Sequence, residues 1–259
     1  MFSNTNFWKG RLKASAIHFA ISLILAAAAA LLVFLVWYPY PYREISGGRE
    51  LFLLVVAVDV IMGPLMTLAI FNLDKPRKEL RRDLAVVGVL QLAALAYGLW
   101  TVAVARPVHL AYEFDRFRVV HAIEIEPGLL GLAPPELQQL PLMGPTLLSV
   151  REFRNSKESF DATMAAMQGL VLGARPDLWQ SYELAKPQIL ARMRPVTELK
   201  TRFPDRAADI DKALKSAGAA NRPIASMGYI PMVGRNTFWT VLLDTTTTEV
   251  IAFVPVDSF

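Results

Sequence analysis

Three apolar runs, each about as long as a bilayer-crossing helix needs, crowd into the first 105 residues of this chain. The first covers residues 14–37 without a charge, the second 51–71 with Asp59 alone, and the third 84–105 without a charge. Three such runs in succession are hard to bury in the core of so small a soluble protein. The composition agrees: 54% of residues are hydrophobic and only 19% charged, against about 25% charged in ordinary soluble domains. There is no cysteine, which excludes thiol chemistry and a disulfide framework.

Charge is unevenly placed. Residues 1–105 hold ten Lys/Arg and six Asp/Glu, whereas residues 106–259 hold 17 of each. The excess lies between apolar runs, a pattern of membrane orientation rather than a basic groove for nucleic acid, and no nucleic-acid partner is expected. Lys9, Arg11 and Lys13 precede the first run, and Lys75, Arg77, Lys78, Arg81 and Arg82 lie between the second and third. The positive-inside rule then predicts a cytoplasmic tail over 1–13, a first span over 14–37, an outer loop over 38–50, a second span over 51–71, a basic cytoplasmic loop over 72–83 and a third span over 84–105. Residues 106–259 follow on the outer side, the periplasm in a bacterium with two membranes. The first run exceeds a signal-peptide core of about 7–15 residues and is expected to be retained. The aromatic string Trp37-Tyr38-Pro39-Tyr40-Pro41-Tyr42 is expected at the outer interface, held extended by its prolines.

The outer segment reads as an α+β domain with a β-hairpin at each end. Alternation over Val108–Phe114 and Phe117–Ile123 predicts a hairpin turning at Asp115-Arg116, which pairs Phe114 with Phe117 and places Glu113 opposite Arg118. Residues 126–149, rich in Pro, Gly and Leu, read as an irregular connection. Helices are expected over about 157–172, with Phe160, Met164, Met167 and Val171 on one apolar face, over 177–185 with Pro187 as the stop, and over about 205–217 ending at Gly218. A closing hairpin is expected over 237–254. The fold class expected is therefore a membrane protein with three N-terminal transmembrane α-helices followed by a periplasmic α+β domain with terminal β-hairpins.

No nucleophile elbow, phosphate loop, dinucleotide fingerprint or zinc-protease motif occurs. His109 and His121 fall on opposite faces of the first hairpin, so no shared metal is expected, and neither a catalytic residue nor a cofactor is assigned. Asp59 is the sharpest single residue. A mid-span acid costs on the order of 3 kcal/mol on insertion scales and so faces protein or water. Pro64 removes a donor from the same helix and Gly63 admits close helix approach. Gln91, Tyr97 and Gly98 put polar and small groups on the third span, with Gln91 and Tyr97 some 120° apart around the helix. Asp59, Gly63, Pro64, Gln91, Tyr97 and Gly98 are the candidate partner-binding residues; an internal hydrogen bond from Asp59 to Gln91 or Tyr97 is the plainer alternative.

The string 37–42, Gly47-Gly48, Val58-Asp59 with Gly63-Pro64, Lys75, Gln91 with Tyr97-Gly98, and Ala105-Arg106-Pro107 leading into Phe114-Asp115-Arg116-Phe117 together resemble the TfpX/TfpZ family of type IV pilin accessory proteins of the bacterial inner membrane. The likeness is densest over about 37–125. It implies a non-enzymatic chaperone that associates with the type IV major pilin and supports its stability or assembly, and it carries over no catalytic residue. Two other classes compete. A membrane-bound transferase modifying pilin needs convergent acids near the outer interface, where only Glu44 and Glu50 lie. A sensor needs a cytoplasmic output module.

Overall fold

The computed structural model describes residues 4–72 and 74–259; Met1–Ser3 of the expected tail and Leu73 of the expected basic loop lie outside the described residues. The chain forms two compact units, Met1–Tyr40 with Gly48–Ala105, and Pro41–Gly47 with Arg106–Phe259. The protein is a membrane protein with three long apolar helices and a downstream domain built on a mixed sheet.

In the helical unit, α1 (Asn4–Leu31) continues as a π-helical segment, Leu32–Trp37. The second span is composite: α3 (Gly48–Ala57), a π segment (Val58–Met62) and α4 (Gly63–Ile70). The third is α5 (Arg77–Val104). The segments long and apolar enough to cross a bilayer are Trp8–Trp37, Gly48–Ile70 and Arg77–Val104. Their mutual contacts bury Ala29, Val33, Phe52 and Val102, with the Phe34 and Phe52 rings edge to face at 4.9 Å. Large side chains such as Ile24, Leu54 and Val89 point outward, as the absence of a hydrophobic penalty in lipid allows.

The aromatic string is not one extended strap. Trp37 ends the π segment. Tyr38 is buried and donates from its hydroxyl to the Val102 carbonyl at 3.1 Å. Tyr42 opens the short helix α2 (Tyr42–Ile45). Pro41 sits just before that helix, where a missing N–H breaks no helical hydrogen bond.

The second unit holds an eight-stranded sheet: β1 (Pro107–Glu113), β2 (Arg116–His121), β3 (Thr146–Val150), β4 (Trp179–Ser181), β5 (Arg194–Pro195), β6 (Met227–Val233), β7 (Phe238–Asp244) and β8 (Val250–Val254). The order is β4-β3-β1-β2-β6-β7-β8, with β5 also paired to β6. The β1/β3 and β2/β6 pairs are parallel and the rest antiparallel. Both expected hairpins form, but the sheet is not confined to the ends: β3, β4, β5 and the central β6 lie between them. The first hairpin turns one residue earlier than expected, with Phe114 at φ 59° and Glu113 opposite Arg116, Tyr112 opposite Phe117, Leu110 opposite Val119. This two-residue slip keeps each side chain on its expected face, since side chains alternate with period two. The Tyr112 hydroxyl donates to the Phe114 carbonyl at 2.5 Å and holds the left-handed turn. Glu113 still meets Arg118, whose Nε–H reaches both carboxylate oxygens at 2.9 and 3.0 Å.

The helices are α6 (Ser156–Met167), α7 (Lys186–Arg192), α8 (Val196–Arg202) and α9 (Ala207–Ser216). One expectation is corrected. Pro187 does not stop a helix over 177–185; it stands in the first turn of α7, where its missing N–H is harmless, and the preceding stretch forms β4 flanked by 3₁₀ turns. In α6 the apolar side chains Phe160, Met164 and Met167 face outward, while Ala162 is the buried residue beneath Val150 and Leu178. One face of the sheet is covered by α7 and α2, with Tyr42 and Ile45 packed among Leu110, Tyr112, Ile230 and Val241. The other is covered by α8 and α9 through Val196, Leu199, Ile210 and Leu214.

Candidate functional site

The polar side chains of the spans converge on one seam. A π-helical turn closes each backbone bond on the N–H five residues ahead. For the Asp59 carbonyl, inside the π segment Val58–Met62, that residue is Pro64, which has no N–H. The freed carbonyl accepts instead from the Gln91 side-chain amide on α5, at 3.0 Å. The same Nε2 donates to Ser22 Oγ at 2.8 Å. Gln91 Oε1 accepts from His18 Nε2 at 2.5 Å, which leaves His18 Nδ1 as the acceptor for the Thr67 hydroxyl, also at 2.5 Å. One helical turn away, Ser15 Oγ donates to the Pro64 carbonyl at 2.9 Å. The three spans are thus tied by one network, with Ser15, His18 and Ser22 from the first, backbone and Thr67 from the second, and Gln91 from the third.

The candidate residues separate in this geometry. Gly63 lies directly under the Gln91 side chain, so a Cβ there would collide with it. Pro64 creates the free carbonyl and offers its own to Ser15. Gly98 faces Val55, where a Cβ would come within 2.6 Å of a methyl. Tyr97 is 69% exposed and stacks beside Trp100 at 5.8 Å, away from the network. Asp59 is 4% exposed, and neither carboxylate oxygen has a hydrogen-bond partner among the described residues. The alternative reading, a bond from its side chain to Gln91 or Tyr97, does not form, because Gln91 is committed to the backbone of Asp59 and to Ser22.

Asp59 stands where two apolar grooves between the second and third spans meet, one of about 310 Å³ reaching to Tyr97, Gly98 and Val102, the other of about 200 Å³ reaching to Gly63, Val87 and Gln91. The walls carry little besides aliphatic side chains. Such a site can seat another helix and accept a hydrogen bond. Sequence reasoning missed the part of His18 in the network, where it links Gln91 to Thr67. The spacing of Ser15, His18 and Ser22, three and four residues apart on one helix face, was the available clue.

In the second unit the two buried histidines have separate roles. His109 bonds Thr146 Oγ1 through Nδ1 at 2.8 Å and packs edge-on to Trp179 at 4.8 Å. Burial pushes its pKa down to about 4. His121 Nδ1 lies 3.1 Å from Glu124, which also accepts the His121 backbone N–H. Among the described residues no three His, Asp or Glu side chains gather as a metal site.

Comparison with known proteins points to one grouping. The family described as Fimbrial assembly protein FimB matches residues 6–47. The Dichelobacter nodosus protein called fimbrial assembly protein, serogroup I, is 35% identical over 248 residues, covering 93% of this chain and 95% of the relative. Its serogroup E1 counterpart is 34% identical over the same shares. The protein of serogroups C1 and C2 is 43% identical over 108 residues, which is 42% of this chain and 82% of that one. No solved structure matches.

Proposed function

Given that this chain belongs to the family of fimbrial assembly proteins, we propose that it is a non-catalytic accessory protein of type IV pilus assembly, a chaperone that binds the major pilin in the membrane. The observation that carries the reading is identity running through both units, over 93% of the chain: the relatives share the spans and the head together. The string 37–42, Val58-Asp59 with Gly63-Pro64, and Gln91 with Tyr97-Gly98 support the finer reading of a TfpX/TfpZ-type accessory protein. A pilin awaiting assembly has an apolar helix in lipid and a folded head outside it. A chain with three spans and a sheet-based domain supplies a surface for each. Helix association in lipid relies on small residues and polar groups rather than on hydrophobic burial, and the seam around Asp59, Gly63, Pro64, Gln91 and Gly98 offers both.

In this reading the protein sits in the bacterial inner membrane. The N-terminus and the loop around Lys78 face the cytoplasm, and the domain from Arg106 faces the periplasm, an orientation supported by the placement of the basic residues. Reporter fusions at residues 78 and 150 test the orientation; activity on the same side for both would overturn it. Deletion with matched complementation tests the function, scoring pilin abundance, pilin transcript and surface pili separately. The expected result is loss of pilin protein or of pili at unchanged transcript. Normal pilin together with normal pili would remove the proposal.

A further inference from the structure

We infer that the groove between the second and third spans seats an apolar helix of another protein that carries a cationic nitrogen, and that the Asp59 carboxylate receives that cation. This rests on the proposed function, which makes the occupant the membrane helix of pilin. Asp59 lies midway along the span Gly48–Ile70, is 4% exposed, and has two carboxylate oxygens without a hydrogen-bond partner among the described residues. The omission is specific. In the same seam, the Gln91 amide is spent on the Asp59 backbone carbonyl and on Ser22, and His18 on Gln91 and Thr67. The fold satisfies the neighbouring polar groups and leaves the one acid open where the two grooves meet.

A buried carboxylate that keeps its charge needs an opposite charge held close to it. This chain's spans carry no Lys or Arg over 14–37, 51–71 or 84–105, in one copy or a second, and both ring nitrogens of His18 are already taken by Gln91 and Thr67. A lipid headgroup lies about 15 Å from the bilayer centre and does not reach it. The rim of the groove, Leu54, Met62, Leu90 and Tyr97, is at least half exposed, and Ala94 lines both grooves. That floor admits a helix backbone.

The test uses the full chain in its native membrane, with a photo-reactive residue at Met62 or Leu90 and controls at the exposed positions Ile24 and Leu35. Pilin is identified in the adduct by antibody and mass. Pilin capture is expected at the groove positions and not at the controls. In an Asp59→Leu background it should fall about tenfold or more, the scale for losing one member of a desolvated charge pair; Asp59→Glu should retain it. Protein abundance and thermal midpoint in detergent are measured alongside. Removing an unmatched acid from a span should leave both unchanged or raised, so lost capture with undiminished stability is a pattern that a structural aspartate does not produce. Capture that survives Asp59→Leu, or capture and stability that fall together, overturns the inference. Pilin missing from the groove adducts while deletion still depletes pilin also overturns it and leaves the proposed function standing; a deletion without effect removes the function itself.

Discussion

Gln91 shows how one side chain can hold three helices. Its amide and carbonyl make three bonds, to Ser22, to the Asp59 backbone and to His18. Gln91→Leu removes all three and strands a buried donor on His18 and an acceptor on Asp59. A single interhelical bond in a membrane is worth about 0.6 kcal/mol on average, but orphaned partners add the cost of unmatched polar groups. A loss of about 1–3 kcal/mol is expected, read as a lower thermal midpoint in detergent; an unchanged midpoint would show that the network carries no weight. His109 gives a pH dependence at the same scale. Its pKa is about 4 in the folded state, against 6.5 when solvated. Between those values the unfolded chain binds a proton that the native one does not. Full stability therefore holds above pH 6.5 and declines as pH falls toward 4, by about 3 kcal/mol from this residue. Unfolding of the full chain at pH 7.5 and 4.5 measures the slope, and His109→Gln should flatten it.

At the scale of elements, α6 and α7 turn on the same point: local pattern does not say which face meets the core. The helix α6 was legible from its periodicity; the structure adds Asn155, whose side chain caps it by accepting the Glu158 N–H at 2.9 Å. Its buried side was not, because Phe160, Met164 and Met167 line up as a core face would, yet the groove against Val150 and Leu178 admits only Ala162. Phe160→Ser should then change stability by less than about 0.5 kcal/mol, whereas Ala162→Leu should cost about 1–3 kcal/mol through overpacking. The reverse ranking in denaturant unfolding would restore the periodic reading. Pro187 misled for a related reason. Proline ends helices in their interiors and is welcome in their first turn, and only the path of the chain from β4 determines which applies.

On the scale of the whole molecule, the division of the chain is not a simple cut between spans and tail. Pro41–Gly47, expected as part of an outer loop, belongs to the same compact unit as residues 106–259. Tyr42 lies 5.6 Å from Phe253 ring to ring, and Ile45 fills the space above Gly234. A fragment beginning at Arg106 lacks both side chains and exposes the apolar face they cover. It should express poorly or aggregate, and a fusion that restores residues 41–47 through a flexible linker should recover soluble, cooperatively unfolding protein. A fragment from Arg106 that unfolds as cooperatively as the linked form would show that α2 is dispensable. Ile45→Ala in the intact protein should cost about 2–5 kcal/mol, as for other large aliphatic truncations in a core.

The sequence by itself determined the three spans, their basic flanks and the two hairpins. Each of those follows from patterns along the chain: apolar length matched to bilayer thickness, charge between runs, and period-two alternation. It also singled out Asp59, because an acid in an apolar run is costly wherever the helix packs. Only the tertiary structure decided that Gln91 answers the Asp59 backbone rather than its carboxylate, that His18 joins Gln91 to Thr67 in the seam, and that β6 runs through the centre of the sheet between β2 and β7. Those outcomes depend on which groups from distant parts of the chain arrive within hydrogen-bonding reach. Periodicity within one segment carries no information about its partners.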